Sequence, residues 1–573
     1  MRVNLISNHR KNTGLSHDVD IMRGLLTAIF DKDVQIQIVQ YIQPQCQEAD
    51  INIFLEVMNP SLMSYAGKNI WIPNQECTFR TWIPYMNMVN EIWVKTHEAE
   101  RIFKILTPTT VRYIGWTSLN RQISSKKNYN KAIVPLGKNT YRDFEVLFRT
   151  YSNIYRVDPT LYYRLPTLHV VSWRPIEIPE DIKDRVVLYN KLLSDKEYDE
   201  LLEECGLCIC LSKAEGFGHA VNEAMASGCN IMTTSIAPFL EDVVGEANVG
   251  AYFCDVAGIE ENEKCFGTLV STNTSILTEQ LEDYVEAGIE NNKTGSEVMR
   301  SVYEGNHTKF MERMRTLLPQ ILYVDTPYSL KDTLPNEEDL PNVSIVCITH
   351  DRRIFMPILK YSYMIQSYPE DKLELVIVDD GDDPIEDTLI GVPNVTYVRL
   401  DKKGTIGEKR NIGVSRAMYD VITFMDDDDV YPNNSVLERT AMMLKAPAKE
   451  CAFCTVIPCY DIAKYSSFMN APPLTLTMSH RVSEATLIFT RKFWEERMFE
   501  HTQIAEGDAF IHGREHMCRE LSPQEVIVSL VHPKNTSSRK LPDFKEPNGC
   551  HFGFNEKLFA MVSEIGEELK ASV

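Results

Sequence analysis

Residues 421–429 read VITFMDDDD, a five-residue apolar run followed at once by Asp426, Asp427, Asp428 and Asp429. A short apolar run bounded by polar residues has the pattern of a buried strand. Carboxylates at its end sit where open α/β sheets gather their binding groups. If the chain stays extended, Asp426 and Asp428 point to one side and Asp427 to the other. Carboxylates that converge must protonate, splay into water or hold a cation. Oxygen ligands favour Mg2+ or Mn2+ over zinc. Taken alone, the run fits a solvated acidic turn equally well.

The flanking text weighs against the bland reading. VSIVCITH (343–350), LELVIVDD (373–380) and VTYVRLD (395–401) are further strand patterns, and the second ends in Asp379 and Asp380. GTIGEKRNIGVSRAM (404–418) then places Lys409, Arg410 and Asn411 at the start of a helical pattern ahead of the acidic strand. These motifs together resemble family 2 glycosyltransferases of the GT-A fold, over about residues 342–540. The resemblance implies that Asp379 and Asp380 hold the nucleotide base and ribose, with Arg410 also on the donor. It implies that Asp426 and Asp428 form the D-x-D of a Mn2+ or Mg2+ site, with Asp427 outside it. It also implies an inverting transfer, in which a carboxylate removes the proton of an attacking hydroxyl. AEGDAFIHGR (505–514) is the matching acidic motif, with Asp508 as base and Glu506 next. The family more often lacks the intervening Gly507. His532, at the end of VIVSLVH, stands where several GT-A enzymes place a third metal ligand.

A second constellation lies upstream. CICLSKAEGFGHAVNEAMASGCNIMTTS (208–235) reads as a strand, a glycine-containing loop, a helix and another strand. Glycines let backbone approach a ligand closely, and the following helix start offers free N–H groups to an anion. Glu215 falls on the loop with Gly216, Phe217 and Gly218, and Glu223 about two turns further on. This text resembles the E-x7-E motif of family 4 retaining glycosyltransferases of the GT-B fold. The match is good over about 130–250 and weak over 1–125. The resemblance implies that Glu215 contacts donor-sugar hydroxyls and Glu223 the nucleotide ribose. It implies that Lys138 and Arg142 of VPLGKNTYRDFEVLF contact the diphosphate, and that no metal is needed. Trp71 and Trp82 could stack on sugars, although aromatic residues more often fill cores. Gly14, after the first strand, could line the cleft.

The rest of the chain supplies the frame. At 573 residues it is too long for a single core. RVNLIS, INIFLE, NIWIP and EIWVKT read as strands before residue 125. AIVPLG, LHVVSW, VVLYN, LCICLS and NIMTTS follow the basic stretch Lys126–Lys131. Strands alternating with helices predict parallel sheets. The expected α/β architecture is therefore a GT-B pair of Rossmann-like lobes (1–125 on the acceptor side, 126–320 on the donor side), a Pro- and acid-rich linker (321–341), a GT-A domain (342–545) and a tail (546–573) with a helix near Glu556–Lys570.

The net charge of −22 argues against a nucleic-acid polymer as partner. The 14 cysteines are scattered, which suits reduced, buried thiols in a cytosol-like compartment or on the cytosolic face of a membrane. No signal peptide and no membrane span are expected. The expected function is a bifunctional glycosyltransferase moving sugars from nucleotide-sugar donors to hydroxyls of a growing glycan. Two alternatives stand beside it. One active enzyme could be fused to a carbohydrate- or nucleotide-binding scaffold. A sugar nucleotidyltransferase is the other, disfavoured because THDRRIF (349–355) lacks glycines.

Overall fold

A computed structural model describes residues 1–9, 13–43, 46–120, 127–245, 247–535 and 552–571. The chain packs as two units. One comprises Met1–Tyr41, Ala49–Met58 and Gly67–Pro327; the other comprises Ile42–Glu48, Asn59–Ala66 and Tyr328–Val573.

The first unit holds two six-stranded sheets. The strands of the first are β1 (Arg2–Ser7), β2 (Gln35–Gln40), β3 (Ala49–Leu55), β4 (Ala66–Ile72), β5 (Glu91–Val94) and β6 (Thr110–Tyr113), in the order β2-β1-β3-β4-β5-β6. β1 runs parallel to β2 and β3, and β5 parallel to β4 and β6. Every residue of β3 is buried, as a central parallel strand covered by helices on both faces requires. The sequence pattern missed β2 and β6. Both are half-exposed and lack a continuous apolar run.

The second sheet contains β7 (Asn128–Gly137), β8 (Thr167–Ser172), β9 (Val186–Tyr189), β10 (Cys205–Cys210), β11 (Asn230–Thr234) and β12 (Ala251–Cys254), ordered β12-β11-β10-β7-β8-β9. All five pairings are parallel. CGLCIC forms β10, buried throughout, where small cysteine side chains pack as apolar groups. A hairpin of β13 (Gly258–Glu261) and β14 (Thr268–Ser271) follows. The helix Thr274–Ile321 breaks its helical geometry at Gly288 (φ 72°) and returns to the first sheet. There Arg313 donates to the Ile114 carbonyl (3.0 Å) and Lys68 to the Ile321 carbonyl (3.0 Å).

The second unit is built on β15 (Val343–Thr349), β16 (Leu373–Asp379), β17 (Val395–Arg399), β18 (Val421–Phe424), β19 (Asp429–Val430), β20 (Cys451–Phe453), β21 (Ile457–Asp461), β22 (Ser466–Asn470), β23 (Ile488–Thr490), β24 (Cys518–Glu520) and β25 (Val528–Val531). Seven form a mixed sheet, β17-β16-β15-β18-β23-β20-β24, and four a smaller one, β19-β25-β21-β22. β15 to β18 pair in parallel, and β23 then adds antiparallel to β18. The α/β class, with two Rossmann-like sheets followed by a mixed sheet, is the one expected.

The segment 325–342 holds only short 3-10 turns, at Lys331–Thr333 and Glu337–Asp339. Lys445 and the Tyr328 hydroxyl both donate to the Ser64 carbonyl, at 2.7 and 2.6 Å. The helix Glu556–Ala571 buries Leu558, Val562, Ile565 and Leu569. Residues 536–551, which contain the expected 545/546 boundary, lie outside the described residues, as does the 125/126 boundary. Among the described residues no helix is long and apolar enough to cross a membrane.

Candidate functional site

In the first unit the carboxyl ends of both sheets open on a cavity of about 500 Å3. It is lined by Glu215, Glu223, Phe217, Gly218, Lys138, Arg142 and Gly14. The structure thus brings together these seven residues singled out from sequence. The loop after β10 turns at Gly218, whose φ of +93° disfavours any side chain. A Cβ at Gly216 would lie 2.7 Å from Glu76 Oε2 and 2.8 Å from Asn74, so this position is fixed by close approach. The helix then begins at His219, which places Glu223 one turn into it.

Glu215 is buried and ion-paired with the equally buried Arg142. The Ser212 hydroxyl donates to Glu215 Oε1 (3.0 Å), and Gln75 donates to the Glu215 carbonyl (2.9 Å). Arg142 also bonds Ser212 and Cys210, so it holds the loop as well as facing the cavity. Lys138 is exposed and lies over the Trp173 ring at 5.6 Å. Glu223 pairs with His17 Nδ1 at 2.9 Å.

Behind this, Asp18 accepts from Lys95 (2.6 Å) and Trp116 (2.6 Å) and pairs with His219 (2.9 Å). Burial alone would raise the Asp18 carboxyl. The Lys95 and His219 charges outweigh it and hold the group well below the usual carboxylate range. Ligand atoms of His17, His219 and Glu223 lie within 4.8 Å of one another, close enough to share a cation. Trp71 and Trp82 are 0 % and 2 % exposed, with ring centroids 6.3 Å apart, so both belong to the core and not to a sugar platform.

In the second unit the aspartate run does not stay extended. The chain turns at Asp427 and Asp428 before β19, so the expected alternation fails. Arg352 reaches Asp427 (3.3 Å) and Asp428 together. Asp426 instead faces Arg410 at 3.4 Å. Asp427 also accepts from the Thr349 hydroxyl (2.6 Å). Asp429 accepts from the Ser529 hydroxyl and the Leu530 N–H, tying β19 to β25. Burial, reinforced by the Asp428 and Asp426 charges, pushes Asp427 up. Asp428 is held down, because the His532 and Arg352 contacts outweigh its burial.

His532 Nε2 lies 3.1 Å from Asp428 Oδ2, and its Nδ1 accepts from the Lys534 N–H (3.2 Å). In that arrangement Nε2 carries the imidazole proton, and a metal at Nε2 would take the proton's place. Two carboxylates and an imidazole are ligand types that a hard divalent cation takes. Among the described residues, however, the ligand atoms of Asp426, Asp428 and His532 are not gathered within 4.8 Å of one another. Burial also disfavours Asp426 as an anion.

The acidic cavity, about 190 Å3, is lined by Asp426 to Asp429, Arg352, Arg410, Glu506 and Glu484, among others. Glu506 accepts from Arg410 Nε at 2.8 Å. Glu484, beside it, is raised by burial and by the Glu506 charge. Asp508 does not line this cavity; it is half-buried and faces His480 Nε2 at 3.3 Å. Asp379 and Asp380 lie outside the lining as well. Asp379 accepts from Gly381 N (2.9 Å), Ile385 N (3.2 Å) and the Tyr397 hydroxyl (2.6 Å), which shapes the loop after β16. Asp380 pairs with Lys409 at 2.8 Å.

Sequence reasoning passed over Arg352, Glu484 and Glu76. Arg352 had a usable signal, since it follows β15 at the carboxyl edge of the sheet. Glu484 and Glu76 had none, being single acids in short 3-10 turns.

Residues 344–494 match the family described as glycosyl transferase family 2, and residues 180–264 match glycosyl transferases group 1. Polypeptide N-acetylgalactosaminyltransferase 10 of Rattus norvegicus is 33% identical over 124 residues, which cover 18% of this chain and 20% of that protein. The structure of S. aureus TarS 1–349 aligns with TM-score 0.27 at 17% identity, covering 33% of this chain and 60% of that one. The mannosyltransferase PcManGT of Pyrobaculum calidifontis, in complex with GDP-Man and Mn2+, aligns with TM-score 0.30 at 16% identity, covering 37% and 62%. The chain thus spans about a fifth of the length of the curated relatives it matches. The polypeptide therefore carries a segment that matches glycosyl transferases group 1, followed by one that matches glycosyl transferase family 2.

Proposed function

We propose that the chain is a bifunctional glycosyltransferase, taking nucleotide sugars at two separate donor sites and adding them to hydroxyls of a growing glycan. The observation that carries the proposal is that each unit has a cavity at the carboxyl ends of its strands with a buried arginine–glutamate pair on its wall: Arg142 with Glu215, and Arg410 with Glu506.

In the N-terminal module Glu215 grips sugar hydroxyls and Glu223 the ribose. The diphosphate falls to Lys138 and to the N–H groups opening the helix His219–Ala226. Arg142 supports it from behind Glu215. This module retains the configuration of the sugar carbon and works without a metal.

In the C-terminal module Asp426, Asp428 and His532 would hold Mn2+ or Mg2+, which would supply neutralising charge to a departing diphosphate. Arg352 and Arg410 balance the carboxylates around it. This module inverts the sugar carbon. The acceptor proton goes to the Glu484–Glu506 pair, where two neighbouring carboxyls cannot readily both ionise. Asp508, the base expected from family resemblance, lies off the cavity wall, which supports Glu506 ahead of it.

The test is a panel of UDP-, GDP- and other nucleotide sugars assayed for nucleoside diphosphate release with Mn2+ and with EDTA. Two donors, one consumed with EDTA and one only with Mn2+, are the expected result. A single activity that chelation abolishes would leave the N-terminal module as a scaffold.

A further inference from the structure

Glu76, in the turn after β4, has no part in the chemistry so far. It lines both the large cavity and a second one of about 180 Å3, and so does Glu215. The two carboxyls therefore stand where the cavities meet, one on each lobe. Glu76 is 9 % exposed, and its Oε2 has no hydrogen-bond partner among the described residues. A buried carboxyl oxygen without a partner is costly and calls for one.

The surrounding backbone is fixed for close approach. Gln75, its neighbour, spans from the Glu98 carboxylate (3.0 Å) to the Glu215 carbonyl (2.9 Å). Gly216 is the residue whose missing Cβ leaves Glu76 Oε2 its room.

Resting on the reading of this cavity as a donor site, we infer that Glu76 is a sugar-binding residue. Its neutral carboxyl donates a hydrogen bond to a hydroxyl of the transferred sugar, from the side opposite Glu215. The group's surroundings keep it protonated. Burial, then the charges of Glu215 and Glu56, push it up to about 8, with Lys95 opposing. Lys95 is itself committed to Asp18, and Arg142 to Glu215. Glu98 shares the smaller cavity, while Tyr141, Cys77 and Cys265 face Glu76 as neutral groups that burial pushes up. A group raised in this way is neutral below its folded pKa and becomes an anion as pH rises through it. A hydrogen bond donated by Glu76 is therefore lost above about pH 8.

The experiment uses the full chain and the nucleotide sugar consumed in EDTA, with the matching nucleoside diphosphate as second probe. Glu76→Ala should lower kcat/KM about tenfold or more and leave nucleoside diphosphate affinity within about twofold. Glu76→Gln, which keeps a neutral donor, should stay within about threefold of wild type and lose the fall in activity above pH 8. The inference is overturned if Glu76→Ala matches wild type, if Glu76→Gln is as impaired as Glu76→Ala, or if either variant loses nucleoside diphosphate binding in step with transfer. If Glu215→Ala leaves the EDTA-resistant transfer intact, the donor-site reading has failed instead, whatever Glu76 does.

Discussion

In the first unit a buried arginine, Arg142, meets Glu215 on a loop between strand and helix; in the second, Arg410 meets Glu506 from a helix start. The cavities beside these pairs differ. The first is larger, and burial pushes the Glu76 and Glu56 carboxyls up. The second concentrates four aspartates on one turn and sets Arg352 and His532 against them. Both sites set cations against carboxylates, Lys95 and Arg142 in the first and Arg352 and Arg410 in the second. What differs is the run of four aspartates. The aspartate run is the reason to expect metal dependence in the second module.

The comparison can be broken at its shared element first. Arg142→Met should destabilise the first unit by about 3–5 kcal/mol, because it strands the buried Glu215. Urea unfolding would measure this, and Glu215→Gln, which leaves Arg142 hydrogen-bonded, should cost much less. Equal costs would mean that the pair is not coupled. The sites themselves come next. Asp428→Ala and Glu215→Ala should each lower one activity about 100-fold or more and leave the other near wild type. Loss of the same activity in both variants would merge the two sites into one. A smaller effect sharpens the role of the loop. Gly218→Ala should cost about 1–2 kcal/mol, since its φ of +93° suits only glycine and its Cβ would meet the Phe239 ring. A variant with unchanged melting temperature would show that the loop adapts.

Much of this was legible in the sequence because strand ends and glycine loops are local signals. The four parallel strands β15 to β18 and the loop 215–218 could be read directly. The short strands β20, β23 and β24 could not, being three residues each. The turn at Asp427 and Asp428 was missed because extended geometry was carried past the end of β18. The partners that set the electrostatics, Arg352 with Asp428 and Glu76 beside Glu215, are separated by 76 and 139 positions in the chain. No periodicity reports such pairs; only the folded arrangement does.

The membership of Asn59–Ala66 in the second unit has a practical corollary. The second unit is therefore not continuous in sequence. A clone beginning at Tyr328 would lack the Ser64 carbonyl that accepts from both Lys445 and Tyr328. Burial lowers the Lys445 ammonium to about 8, so without that acceptor its charge would be poorly supported. Separate production of the two activities is therefore better attempted by inactivating one site in the intact polypeptide than by cutting it at the linker.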